Sequence, residues 1–181
     1  MNEKLWWFVA RSGGLVAWWL VAASVFYGLF LSTRVLQGKP KPAWLLDLHR
    51  FLGGLSVVFT GIHLVGLLAD SYIQFSLIDV FVPFASKWKP AAVAWGVIGM
   101  YLLIAIEVTS LLMKRIPRKW WRRVHLTSFG LFLLSSVHAF TAGTDGDNAA
   151  VQWSALLMAT LFVFLTTYRQ VATTRTRPKR A

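Results

Sequence analysis

Long apolar runs separated by short charged clusters set the pattern of this chain. The first, Gly14–Thr33 (GLVAWWLVAASVFYGLFLST), follows a charged start at Lys4 and Arg11. Others extend from about Trp44 to Ala69, Ala91 to Met113, Arg123 to Ala142 and Ala149 to Tyr168. Each is close to the ~20 residues that a helix needs to cross ~30 Å of hydrocarbon. Backbone N–H and C=O groups find no water there, so spans of this length predict helices. The first run ends at Arg34 without a small-residue cleavage site, which reads as a retained span rather than a removed leader. Between the second and third lies SYIQFSLIDVFVPFAS, residues 71–86, apolar but short, holding Asp79 and broken by Pro83. It predicts a re-entrant or surface-lying helix. The expected fold is all-α: an integral membrane bundle of five transmembrane helices plus one short re-entrant or interfacial helix. Its expected divisions are an extracytoplasmic or interfacial segment over 1–13, the transmembrane bundle over 14–169 and a basic cytoplasmic tail over 170–181.

Composition agrees with a lipid bilayer as the surrounding medium, at 56% hydrophobic and 14% charged, with ten Trp and thirteen Phe. A net charge of +12 would suggest nucleic acid were it gathered on one face. Instead the cations cluster at the ends of apolar runs, which excludes nucleic acid as the expected partner. Arg34, Lys39 and Lys41 follow the first run, and Lys114, Arg115, Arg118, Lys119, Arg122 and Arg123 follow the third. Arg169, Arg175, Arg177, Lys179 and Arg180 follow the fifth, so fourteen of the nineteen lysines and arginines fall on one side. The positive-inside rule then predicts a multi-pass protein of the plasma membrane with its N-terminus outside and its tail in the cytoplasm. Cysteine is absent, which excludes disulfides, thiol chemistry and cysteine-held clusters. Redox chemistry would need a bound cofactor.

The four histidines supply the candidate chemistry. His49 and His63 bracket LHRFLGGLSVVFTGIH in the second run, and His125 and His138 bracket HLTSFGLFLLSSVH in the fourth. Both runs start from the same side, so the histidines define two levels about 20 Å apart at ~1.5 Å per residue. Each level offers one imidazole from each helix, and two facing imidazoles can hold a haem through its iron. Helical phase puts His63 within about 40° of His49, but leaves His138 about 140° from His125. The second pair therefore needs a bulge, a kink near Gly130 or Ser135–Ser136, or a strongly rotated helix. A hydrogen bond to a neighbouring helix is the plainer role for any single intramembrane histidine. Zinc fits less well, because two histidines fall short of the ligands it normally takes.

Other residues have two readings each. Gly53 and Gly54 leave room for a planar ring system or for close helix packing. Arg50, Arg122 and Arg123 suit haem propionates or ordinary flanking; Arg11, outside the positive-inside pattern, suits an outer propionate or a headgroup. Glu107, inside the third span, suits a proton or quinone site, or an interfacial partner for a cytoplasmic Arg or Lys. Asp47 and Asp70 bracket the second span and are expected to reach solvent.

LHRFLGGLSVVFTGIH together with WRRVHLTSFGLFLLSSVH resembles the ferric reductase-like transmembrane domain, over roughly residues 5–169. That family comprises ferric reductases, NADPH oxidases and the membrane subunit of the bacterial methionine sulfoxide reductase system, and this chain is similar to its short actinobacterial-type members. The resemblance implies two stacked b-type haems, the inner on His49 and His125 and the outer on His63 and His138. It admits the off-phase thirteen-residue spacing, which the oxidase branch shares. It also implies transmembrane electron transfer to an extracytoplasmic acceptor. Better-known members have six spans with the histidines on the third and fifth, whereas here they fall on the second and fourth. Reductases and oxidases of the family also append a flavin and nicotinamide domain. Here only about a dozen residues follow Tyr168, with no glycine-rich dinucleotide turn. The expected protein is thus an oxidoreductase subunit whose donor is a separate flavoprotein or membrane quinol, with any flavin or quinone supplied by that partner. The alternatives are a terminal ferric or oxygen reductase acting at the outer surface, a form with one haem, and a haem-free scaffold.

Overall fold

The structure, a computed structural model, describes residues 4–33 and 42–175. Arg34, Lys39, Lys41, Arg177, Lys179 and Arg180, on which part of the expected sidedness rests, lie outside the described residues. The helices are α1 (Leu5–Thr33), α2 (Pro42–Ala69), α3 (Leu77–Phe81), α4 (Pro90–Leu111), α5 (Arg118–Leu126), α6 (Ser128–Ala142) and α7 (Ala149–Arg175). No strand occurs among the described residues. Five stretches are long and apolar enough to cross a membrane: Leu5–Thr33, Ala43–Ala69, Pro90–Leu111, Arg118–Ala142 and Ala149–Val171. The protein is a multi-pass, all-α membrane bundle. Hydroxyls inside these helices turn back on their own backbones, as Thr60 does to Ser56 O and Thr166 to Phe162 O. That leaves fewer unpaired polar groups facing hydrocarbon.

α1 is the hub. Trp18, Val21, Ala22, Val25, Phe26 and Leu29 form one buried cluster with residues of α4, α6 and α7. The indole of Trp18 donates to Ser136 Oγ at 3.0 Å. The pairing of α1 with α2 is the most extensive in the bundle. Small residues allow it: a Cβ at Gly66 would stand 2.5 Å from the amide nitrogen of Ala10, and one at Gly13 would stand 3.0 Å from that of His63. The two backbones touch.

Two local expectations are corrected. α1 starts at Leu5 rather than Gly14, so most of the segment 1–13 is continuous with the first span. Arg11 permits this because Asp145 pairs with it. The fourth run begins at Arg118 and breaks at Thr127, between α5 and α6, not at Gly130 or Ser135–Ser136, which lie inside α6. At the break the Thr127 amide and hydroxyl both donate to Val124 O, at 3.0 and 2.6 Å, a three-residue closure that tightens the turn. Residues 71–86 carry the expected short surface helix, Leu77–Phe81. It lies on the surface against α4, held by a 2.7 Å bond from Tyr101 Oη to Phe81 O, with Leu77 and Ile78 facing outward. Ser76 caps it: its hydroxyl accepts from the Asp79 amide, and the Asp79 carboxylate accepts from the Ser76 amide. The Ser76 hydroxyl also donates to the Asp79 carboxylate at 2.6 Å, and this bond, with that from the Ser76 amide, holds the Asp79 carboxyl below its usual range.

Candidate cofactor site: two facing imidazole pairs

The structure brings the four histidines together as two pairs, at two levels of the bundle. The rings of His49 and His125 have centroids 5.8 Å apart and planes crossed at 77°. Those of His63 and His138 have centroids 6.3 Å apart and planes crossed at 78°. The break at Thr127 answers the phase problem, because it interrupts the helix that would otherwise turn His138 away.

Three of the four rings are held by a main-chain carbonyl of a neighbouring helix. His63 Nδ1 donates to Ala10 O at 2.6 Å, His49 Nδ1 to Ser24 O at 2.9 Å and His138 Nδ1 to Ala92 O at 2.8 Å. A carbonyl only accepts, so the proton sits on Nδ1 and the Nε2 lone pair is left for another partner. Buried metal-binding histidines are fixed in this way, their second nitrogen donating to a carbonyl or carboxylate.

The local sequence explains how an imidazole reaches a carbonyl already used within a helix. In an α-helix the C=O of residue i lies beside residue i+4. Here that residue is glycine each time: Ala10 and Gly14, Ser24 and Gly28, Ala92 and Gly96. A Cβ at Gly14 would stand 2.9 Å from His63 Nδ1, one at Gly28 3.3 Å from His49 Cε1, and one at Gly96 2.6 Å from His138 Cε1. The glycines open the carbonyls to the rings. Sequence reasoning missed them, although Gly14 and Gly28 repeat the fourteen-residue spacing of His49 and His63 on the adjacent helix. The fourth ring differs. His125 Nδ1 lies 3.5 Å from Ser110 Oγ, and Trp121 stacks on its ring at 5.1 Å and 24°.

An apolar cavity of about 240 Å³ surrounds the His63–His138 pair, with Val97, Met100 and Leu131 in its wall. Arg11, Asp70 and Asp145 also line it. Arg11 is not free there. Its guanidinium makes a two-pronged pair with Asp145, the Nε arm at 2.7 Å, and lies over the Trp7 ring. Asp70 does not reach solvent; it is buried and accepts from the amides of Tyr72 and Ile73, closing the turn after α2. At the opposite end Arg50 is exposed and 3.9 Å from exposed Asp47, while Arg122 and Arg123 are exposed on α5. Glu107 makes no ion pair among the described residues, against the expected Arg or Lys partner. Its carboxylate fills the space over Gly53, whereas Gly54 and Gly61 have nothing within 4 Å of a would-be Cβ.

Chemically, each level offers two neutral nitrogen donors. No group of three or more His, Cys, Asp or Glu able to hold a metal occurs among the described residues. A metal seated here would need ligands beyond the two imidazoles of its level.

The pattern that defines the ferric reductase like transmembrane component family matches residues 13–136, a stretch containing His49, His63 and His125. A protein of Archaeoglobus fulgidus described as uncharacterized is 26% identical over 134 residues, covering 70% of this chain and 71% of its own. No solved structure matches the chain.

Proposed function

The chain belongs to the ferric reductase-like transmembrane component family, and from that premise we propose that it is a membrane cytochrome b with one b-type haem at each imidazole pair. The observation that carries this reading is the combination of Nδ1 donation to helix carbonyls with paired rings at 5.8 and 6.3 Å. His49 with His125, and His63 with His138, would each hold one haem iron through Nε2. A haem held by these histidines would supply one-electron transfer rather than oxygen binding.

The chain's own residues do the rest. Ala10, Ser24 and Ala92 hold the rings in the tautomer that presents Nε2. The α1 cluster and the apolar cavity wall keep water from the path between levels. The His49–His125 level faces the end that bears Arg118–Arg123, and we assign that end to the cytoplasm by its positive charge. The N-terminus is then outside and the membrane is the plasma membrane. Electrons enter from a cytoplasmic flavoprotein or a membrane quinol and leave from the His63–His138 level to an extracytoplasmic acceptor.

The decisive experiment is a reduced-minus-oxidised absorbance spectrum with a haem-to-protein ratio, on wild type, His63→Ala and His125→Ala. Two haems per chain, with one lost in each variant, is the expected result. Folded protein without haem overturns it and leaves a scaffold. Reduction of ferric chelates by the purified protein with no added partner would make it a terminal reductase rather than a relay.

A further inference from the structure

The indole nitrogen of Trp121 is buried and has no hydrogen-bond partner among the described residues. Trp18, the buried indole of α1, does have one, in Ser136. A buried donor without an acceptor is unfavourable, and tryptophan N–H groups in protein interiors ordinarily find a partner. Trp121 sits one helical turn before His125 and stacks on its ring. Whatever His125 binds therefore lies within the neighbourhood of this unused donor.

The charge around it favours a negative acceptor. Arg118 and Lys119 open α5, where the helix dipole already disfavours cations. Arg118 with Arg122 and Lys119 with Arg123 are like-charge pairs at i, i+4, which weaken an isolated helix. Among the described residues, the acids nearest this end are Asp47, 3.9 Å from Arg50, and Glu107, packed on Gly53. Neither is bonded to the indole. The helix is arranged against its own electrostatics in the way that an anion would relieve.

Resting on the proposed haem at this level, we infer that Trp121 Nε1–H is the hydrogen-bond donor to a carboxylate side arm of the haem ligated by His125. Trp121 is then a positioning residue: it clamps the imidazole by stacking and the porphyrin edge by its N–H. The other source of an anionic oxygen at this surface is a lipid phosphate, and the experiment separates the two.

Apo-protein, full length and in nanodiscs, is loaded either with haem b or with its dimethyl ester, in which both carboxylates are capped. Loss of haem to excess apomyoglobin is then timed. Trp121→Phe, which keeps an aromatic ring on His125, should release one of its two haems about tenfold faster than wild type, the scale of one hydrogen bond to a charged group. Trp121→His, which restores a ring N–H, should recover most of that difference. With the ester, whose carbonyl still accepts but carries no charge, most of the difference between wild type and Trp121→Phe should disappear. Wild type alone should lose the ester from that one site about tenfold faster than haem b, a comparison that stands even if the variants fold poorly. Equal release of haem b by wild type and Trp121→Phe overturns the assignment. So does a difference that persists with the ester and tracks anionic lipid content, which would make the acceptor a phosphate. Wild type that takes up no haem fails the parent reading itself.

Discussion

Arg11 and Asp145, 134 positions apart in sequence, join the start of α1 to the loop after α6. The preceding residue, Ala10, supplies the carbonyl that holds His63, and α6 carries His138. One ion pair therefore braces both sides of the same imidazole pair. Asp145 is 9% exposed and Arg11 36%. Removing the arginine would strand a buried carboxylate.

Arg11→Ala should cost about 1–3 kcal/mol, less than a fully buried pair because the guanidinium is partly solvated. Asp145→Ala should cost less, since it leaves the more exposed partner alone. Thermal unfolding in detergent of both variants and of the double variant measures this. The double variant should be milder than the sum of the singles; strict additivity would mean the pair contributes no coupling.

The three glycines that admit the rings should respond in graded order. Gly96→Ala and Gly14→Ala place a Cβ 2.6 and 2.9 Å from their histidines, and Gly28→Ala places one at 3.3 Å. Haem affinity should fall about ten- to a hundredfold at the His63–His138 level in the first two, on the scale of other lost outer-shell contacts. In Gly28→Ala the effect should be several-fold smaller and confined to the other level. Titration of apo-protein with haem, resolved by the two spectral components, reads this. Equal losses at both levels in every variant would contradict it.

Ser24 and Ser110 look alike in sequence and should not behave alike. Ser24→Ala removes a hydroxyl 3.2 Å from His49 Nδ1 but leaves the 2.9 Å carbonyl contact. It should change stability and haem retention by less than about 0.5 kcal/mol. Ser110→Ala removes the hydroxyl beside His125 Nδ1, which has no carbonyl of this kind. The His125 imidazole, still stacked on Trp121, should be held less narrowly, visible as broadened electron paramagnetic resonance features of that haem alone.

The cap of α3 titrates. Asp79 accepts from Ser76 and its carboxyl is held below the usual range. A depressed folded-state value means the bond stabilises α3 above the unfolded carboxyl range, near pH 4, and is lost as pH falls through the lower folded value. Hydrogen exchange at Val80–Val82 should therefore accelerate, relative to the intrinsic rate, only below about pH 4. Asp79→Asn should show raised exchange at neutral pH and no acid step.

The spans and the four histidines were legible because hydrocarbon leaves few options: apolar length predicts helices, and an imidazole inside one needs a reason. The carbonyl contacts were not legible, since Ala10, Ser24 and Ala92 act through backbone atoms that every residue has. Only the glycine four places on hints at them. The early start of α1 was hidden because Arg11 reads as a flanking charge until Asp145 comes alongside. The break at Thr127 had no glycine or proline to announce it. It depends on one hydroxyl competing for one carbonyl, a local choice that tertiary packing decides.

The direct backbone contact of α1 with α2 has a consequence for assembly. Ala10 and Ser24 lie on α1, which leaves the ribosome before α2, and both rings they hold lie on α2. Half of each level can thus be set, tautomer included, before α4, α5 and α6 have been made. The second half arrives on a hairpin that brings its own carbonyl and hydroxyl. A nascent chain halted after α2 would then present two oriented imidazoles on one face, a template on which the later helices close.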